Sequence, residues 1–516
     1  MATECCFIVD WVVPNNHSDN RRKSIIGPYN LGLFEGQAPA SLNGVRTVTR
    51  AFDERATGPY NPALYHPDVL CLSYMTTEAW RAYQISEEAR HATSHNGDRI
   101  RIIHGGIHAT SLPLEALKHC DLVVRGEMTP QFQKELLEFA LNMGAGYKAV
   151  LRMNNPPCVI KHPPADWSWA KRSNYMLPYT IQTSVGCPFS CDFCSVTQVA
   201  GAGMRPYDLG CLRTELATLP KGVVLAVIDD NFLQGVQPKH INHCLNVAKM
   251  MHGMGFRWMA ELTIKTLIEA RKKLAEETPG FDLVEFFAKH GCIGFFFGIE
   301  SIDGGLKKSE SMGKTTELIH HCQNCGIGVL GAFVLGVGPE ETTDYAKRVV
   351  EYAIIDAKLD FAQFSINTPM PGARNFIEGV RSGNIFNYNW DLFDAEHCVM
   401  RHPIMTPDEL EEAHAECYRV FYGRKSVIKR TLLPLLSLSH GASKRLIISA
   451  LYNVAMHYSD KRRRELNQRA GSRTVINQPD QSVIDQVNNL SGGGSLFDFR
   501  NAAGGPDTFA VEYVEI

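Results

Sequence analysis

With 516 residues, 44% of them hydrophobic and 21% charged, the chain can bury two or three separate cores and has the composition of a soluble globular protein. A formal net charge of −3 argues against bulk attraction to nucleic acid or to an anionic membrane surface. Fifteen cysteines, an odd number diluted over a long chain, read as reduced thiols and not as a disulfide scaffold. No apolar run is long enough to span a bilayer, and the first ten residues lack the basic start of a signal peptide, so a cytoplasmic location is expected.

Along the first 150 residues, the stretches 6–13, 68–75, 99–104 and 121–124 are short, apolar and rich in β-branched residues. Such runs suit strands buried on both faces of a parallel sheet. A polar helical stretch, 77–93, separates the second from the third. The pattern predicts an open α/β (Rossmann-like) sheet with ligand space at the carboxyl ends of its strands. Residues 151–175, with Pro156, Pro157, Pro163 and Pro164, read as a linker.

The alternation restarts at residue 176. Strands are predicted at 180–185, 223–228, 257–263, 293–300, 329–336 and 361–367, with helix-length segments such as 238–254 and 342–357 between them. Six strand–helix repeats up to residue 395 predict a partial (β/α)6 barrel with its functional groups at the strand C-termini. Residues 396–458 read as helical, over 407–422 and 433–458, and are expected to close the barrel mouth. From 459 to 516 the chain is polar, with Lys461–Arg464 and Ser491–Gly494, and a loose, partly disordered tail is expected.

Chemistry concentrates at the end of the first barrel strand. Gly186-Cys187-Pro188-Phe189-Ser190-Cys191-Asp192-Phe193-Cys194 places three soft ligands on one loop, in C-x3-C-x2-C spacing. Structural zinc would need a fourth ligand, and no Cys or His pair follows at finger spacing. Chance burial of three thiols is the bland alternative, and a loop flanked by Gly and Pro argues against it. A three-cysteine iron–sulfur cluster fits best, because it leaves one iron open to chelate a substrate.

This loop, with an aromatic residue before its last cysteine, resembles the signature of the radical S-adenosylmethionine (SAM) superfamily. Further segments are similar to the subgroup with an N-terminal cobalamin-binding-type domain: Ala226–Phe232, Gly298–Ser301, Gly331–Gly336 with Pro339–Thr342, and Thr368–Gly372. Each falls at a predicted strand end. In the N-terminal domain, Gly105–Pro113, Asp121–Glu127 and the strand around Ser73 resemble that subgroup's cobalamin domain. The D-x-H-x-x-G motif that supplies an imidazole to cobalt in many such domains is absent.

The resemblance implies a [4Fe-4S] cluster on Cys187, Cys191 and Cys194, SAM as cosubstrate, and cobalamin. It places Phe193, Glu300 and Arg205 beside SAM and Ser73, Gly105 and Gly106 beside cobalamin, with His17, His66, His104 and His108 as candidate axial ligands. A Glu300–Arg257 ion pair is the structural alternative for Glu300. The implied activity is cobalamin-dependent methylation of an unactivated carbon after reductive cleavage of SAM to a 5'-deoxyadenosyl radical. A radical cyclase, oxidase or carbon–carbon coupling enzyme is the second possibility, and an iron–sulfur or cobalamin carrier the third. The implied partners are a small-molecule, lipid or peptide substrate and an electron donor such as flavodoxin or ferredoxin, with no nucleic acid.

Overall fold

The computed structural model describes residues 6–15, 24–153, 156–170, 174–201, 203–303, 310–428, 430, 475–488 and 509–515. Two parallel sheets dominate them. In the first, the strands Val45–Asp53, Cys6–Val13, Val69–Ser73, Arg101–Gly105, Leu122–Arg125 and Lys148–Met153 lie side by side in that order, all parallel. Sequence order therefore reverses at Cys6–Val13, as in flavodoxin-like sheets, where ligands sit beyond the strand ends at the switch point. Val9, Val69, Leu70, Ile102, Leu122 and Leu151 are almost fully buried, as expected of central strands covered by helices on both faces.

The second sheet runs Thr180–Ile181, Val224–Val227, Arg257–Leu262, Cys292–Glu300, Gly328–Leu335 and Phe361–Ile366 in strict sequence order, all parallel. Strand pairing does not close it. Along the last strand burial alternates: Ala362, Phe364 and Ile366 are buried, whereas Gln363 is exposed.

An open sheet leaves an edge of unpaired backbone groups. Here the helix Pro407–Phe421 and its next residue cover it. The Tyr418 hydroxyl donates to the Phe364 carbonyl (3.1 Å) and accepts from the Phe364 N–H (3.2 Å). Tyr422 repeats both contacts at Ala362, at 2.7 and 3.1 Å. Residues four apart on a helix rise about 6 Å, close to the spacing of two strand residues, so the registers match. The described part of the C-terminal helical region thus seals the barrel's side edge, where the sequence led us to expect closure of its mouth.

Two other expectations change. The proline-rich stretch 156–170 is packed: Ala165 and Trp167 are buried with Tyr29, and the Trp167 ring lies where Gly27 and Gly32 would carry a Cβ. Two tryptophans outweigh four prolines there. In the expected loose tail, Gln481–Asn488 is a helix with Val483 and Val487 buried, and Phe509–Glu515 pairs antiparallel with Lys148–Met153, covering the first sheet's edge. The predicted helix 433–458, the basic run at 461–464 and His17 lie outside the described residues.

Candidate active site

The cluster loop begins immediately after Ser184–Val185, a short strand paired antiparallel with Arg205–Pro206. Its approach is fixed by two acids, one buried and one half-buried, that follow the second barrel strand. Asp229 accepts from the Thr183 N–H (2.6 Å), the Thr183 hydroxyl (2.6 Å) and the Ser184 hydroxyl (2.8 Å). Burial nevertheless raises its carboxyl to about 6. Asp230 accepts from the Gly186 N–H at 2.8 Å, and burial pushes its carboxyl up as well. Gly186 has φ +92°, and a Cβ there would strike the Gly203 carbonyl oxygen. The loop is therefore shaped by backbone and carboxylate contacts.

Cys187, Cys191 and Cys194 are all half-buried on this loop, as is Phe193. Among the described residues no three His, Cys, Asp or Glu side chains converge as they would around a single ion. A cubane asks for something different: each thiolate binds a different iron, so its ligands stand further apart than those of one metal.

Across the open side of the sheet, polar contacts close the rim. The Asp192 carbonyl accepts from the Asn375 N–H (2.9 Å), and the Asp192 carboxylate pairs with Arg374 (2.7 Å). Asn375 donates on to Asn367 (3.2 Å), whose amide reaches the Gly336 carbonyl (3.1 Å). Gly372, at φ +92°, sits where a Cβ would meet Ser111 of the first domain and Ser195 of the cluster loop. The Pro-x-Pro-Gly element is thus the point where three segments touch.

Glu300 is buried at the end of its strand, with φ +66° beside a register shift at Gly298/Glu300. Left-handed backbone at a residue other than Gly or Asn costs on the order of 1–3 kcal/mol and persists where the surroundings hold it, commonly at functional sites. Arg257 starts the neighbouring strand, so it lies at the opposite end of the sheet and is exposed. That geometry removes the Glu300–Arg257 ion pair. Arg205 sits beside the loop, but its guanidinium makes a two-pronged pair with Glu127 of the first domain and a 2.7 Å bond to the Ala200 carbonyl. The donors expected for a SAM carboxylate are already engaged, and they bridge the domains.

A cavity of about 350 Å³ lies between the carboxyl ends of the first sheet and residues flanking this loop. Ser73, Gly105 and Gly106 line it from one side, Gln182, Val185 and Asp230 from the other. Ser73 Oγ accepts from Asn30 at 2.7 Å. Gly106 has φ +87°, and a Cβ would lie 2.6 Å from the Tyr74 backbone N and O. Close approach is indeed the reason for this glycine, though the partner that excludes a side chain is the adjacent chain. Gly105 has no such neighbour, its nearest being the Val124 carbonyl at 3.7 Å.

The histidines sort differently from the sequence expectation. His104 lines the cavity, yet both ring nitrogens are engaged, with Tyr74 (3.0 Å) and Ser86 (2.7 Å). His108 is buried against Tyr83 and Trp390, and His66 is exposed. His162, in the stretch read as linker, lines the cavity instead. Asp229, Asp230 and Glu127 make contacts that spacing could not assign, since each depends on a partner dozens of residues away.

No family model matches the chain. Among curated proteins it is 26% identical to an uncharacterized methyltransferase of Pyrococcus horikoshii over 392 residues, covering 70% of this chain and 80% of that one. It is 24% identical to the bacteriochlorophyllide d C-12(1)-methyltransferase of Chlorobaculum tepidum, covering 70% and 76%. Its fold matches the structure of the radical S-adenosylmethionine methyltransferase TsrM from Kitasatospora setae, with cobalamin and a [4Fe-4S] cluster bound, at a TM-score of 0.55 and 16% identity over 74% of this chain and 79% of that one. The chain is thus similar in sequence to proteins named as methyltransferases and shares its fold with a radical S-adenosylmethionine methyltransferase. The three-cysteine loop and the cavity of the first domain are neighbours, bridged by Arg205–Glu127. Among the described residues no helix is long and apolar enough to cross a membrane.

Proposed function

We propose that this radical SAM enzyme is a cobalamin-dependent C-methyltransferase acting on an unactivated carbon. The observation that carries the reading is the shared cavity: the strand ends of the cobalamin-type domain and the residues flanking the three-cysteine loop face one space. When bound, a [4Fe-4S] cluster supplies the electron that splits SAM into methionine and a 5'-deoxyadenosyl radical, and cobalamin supplies the methyl group.

The chain's own residues fit these groups. Cys187, Cys191 and Cys194 provide three thiolates and leave one iron open for the amino and carboxylate groups of SAM. Glu300, buried at the neighbouring strand end, and Phe193, within the loop, supply a charge and an apolar wall suited to a cationic cosubstrate with a flat base. Arg205 we assign to holding the domains in register through Glu127. Ser73, Gly105 and Gly106 line a cavity whose other walls include Trp11, Phe34 and Ile103. Its volume is too small for an entire corrinoid and suits the aromatic nucleotide tail. The relatives, named as methyltransferases, favour methylation over cyclisation or coupling. A small-molecule, lipid or peptide substrate, a flavodoxin or ferredoxin donor, no nucleic-acid partner and a reducing cytoplasmic setting complete the reading.

The test needs no substrate. Anaerobically reconstituted protein given SAM and dithionite should form 5'-deoxyadenosine, and after incubation with hydroxocobalamin and desalting it should retain near-stoichiometric corrinoid. An intact cluster that never yields 5'-deoxyadenosine would make the protein a carrier. Protein that shows only its iron–sulfur absorbance after the corrinoid incubation would be a radical enzyme without cobalamin.

A further inference from the structure

The strand Gly328–Leu335 lies inside the second sheet, between Cys292–Glu300 and Phe361–Ile366. Parallel sheets are normally covered on both faces. On one face that holds here: Phe295 is buried against Phe287, Phe333 against Tyr352, and Phe364 against Tyr418 and Phe421. Side chains alternate across a strand, so Phe296, Leu330, Ala332, Val334 and Gln363 stand on the other face. There the four apolar residues are only half-buried, although their strands are paired on both sides, and Gln363 is exposed. An open apolar face with one polar group at its margin has the composition of a ligand site.

Register gives that face its shape. Gly298 pairs with Ala332, and Ala332 with Gln363. Neither Gly298 nor Ala332 carries more than a methyl group, so the two form a level floor. Phe296 and Leu330, themselves paired, stand one step before it, and Val334 stands one step after. Gln363 closes the floor at one end, and among the described residues its amide has no hydrogen-bond partner. The strand that ends at Glu300 lies two places away, about 10 Å, a distance comparable to the length of an adenosine from its ribose hydroxyls to its exocyclic amine. Gln363 is also tied to the cluster loop: its strand runs into Asn367, which accepts from Asn375, and the Asn375 N–H donates to the Asp192 carbonyl.

We propose that this floor receives the adenine of SAM and that Gln363 is the residue that selects the base. Its amide oxygen accepts from the exocyclic amine, and its N–H donates to the neighbouring ring nitrogen. A Gln amide pairs with adenine in this two-point manner in nucleic-acid recognition. The flat ring covers the half-open apolar residues, and the amide fixes its orientation. The inference rests on the reading that SAM is the cosubstrate and adds the side chain that recognises its base.

The test uses two unreactive probes on the full chain with its cluster reconstituted and oxidised: S-adenosylhomocysteine, and the purine analogue that lacks the exocyclic amine. Anaerobic equilibrium dialysis gives both dissociation constants for wild type, Gln363→Leu and Gln363→Glu, with iron content and thermal melting alongside. Wild type should prefer the adenine probe about tenfold, the order of one hydrogen bond. Gln363→Leu should bind the two probes almost alike. Gln363→Glu keeps an acceptor for the amine and should retain a preference, while its carboxylate against a ring nitrogen weakens both probes. Because Gln363 is exposed, both variants should keep the iron content and melting temperature of wild type. Wild type with a full cluster that binds neither probe would overturn the SAM reading and this inference with it. An undiminished preference in Gln363→Leu would overturn the inference alone, as would wild type that binds both probes equally.

Discussion

The two sites on either side of the cavity are built on opposite plans. Nine consecutive residues, 186–194, carry all three thiols, and their shape comes from a few contacts to Asp229, Asp230 and Gly203. The cavity wall instead draws on several strand ends, a loop and the helix start at Gly106, far apart along the chain. A cluster needs a fixed set of soft ligands, which a loop can hold. A large cofactor needs shape, which only distant segments can enclose. Both sites nevertheless sit at carboxyl ends of parallel strands, and Arg205–Glu127 makes one rim of them.

That contrast is most sharply broken by separating the sites. Cys191→Ala should remove most of the iron and abolish 5'-deoxyadenosine formation while corrinoid retention persists, by iron assay, product chromatography and the visible spectrum after desalting. Loss of both cofactors together would show that the sites are one folding unit. At the cavity, Gly106→Ala demands a left-handed Ala and a Cβ 2.6 Å from the Tyr74 backbone. A cost of about 2–5 kcal/mol in denaturant unfolding is expected, with corrinoid lost before iron.

The acid beneath the cluster loop gives a pH signature. Asp229 ionises at about 6 in the folded chain against an ordinary value of 3.8. A raised carboxyl favours folding below about pH 4, where both states are protonated, and that contribution is lost as pH rises to about 6. Apoprotein unfolding free energy should fall by a few kcal/mol across this window from this group. Asp229→Asn should flatten that part of the profile. An identical slope in the variant would assign it to another group.

Smaller effects belong to the edges of the second sheet. Tyr422→Phe strips both partners from the Ala362 backbone and should cost about 1–3 kcal/mol in thermal or chemical unfolding. Arg374→Ala removes a half-exposed pair with Asp192, worth about 1 kcal/mol or less. It should slow SAM cleavage only if the rim contact helps to hold the loop, which the ratio of its rate to its iron content reads out.

By itself the sequence determined the three closely spaced thiols, the two alternating α/β patterns and the strand ends that carry Ser73, Glu300 and the Pro-x-Pro-Gly turn. These are local or periodic properties: ligand spacing along a loop and side-chain alternation along a strand survive without knowledge of neighbours. What only the tertiary structure decided are pairings. Arg205 meets Glu127 and not a bare cavity, Glu300 lies far from Arg257, Tyr418 and Tyr422 seal an edge where a mouth-closing helix was expected, and His162 joins His104 at the cavity wall. Each of these depends on which distant segment packs alongside, and that is set by burial of whole strand and helix faces, a sum over many residues that no single motif encodes.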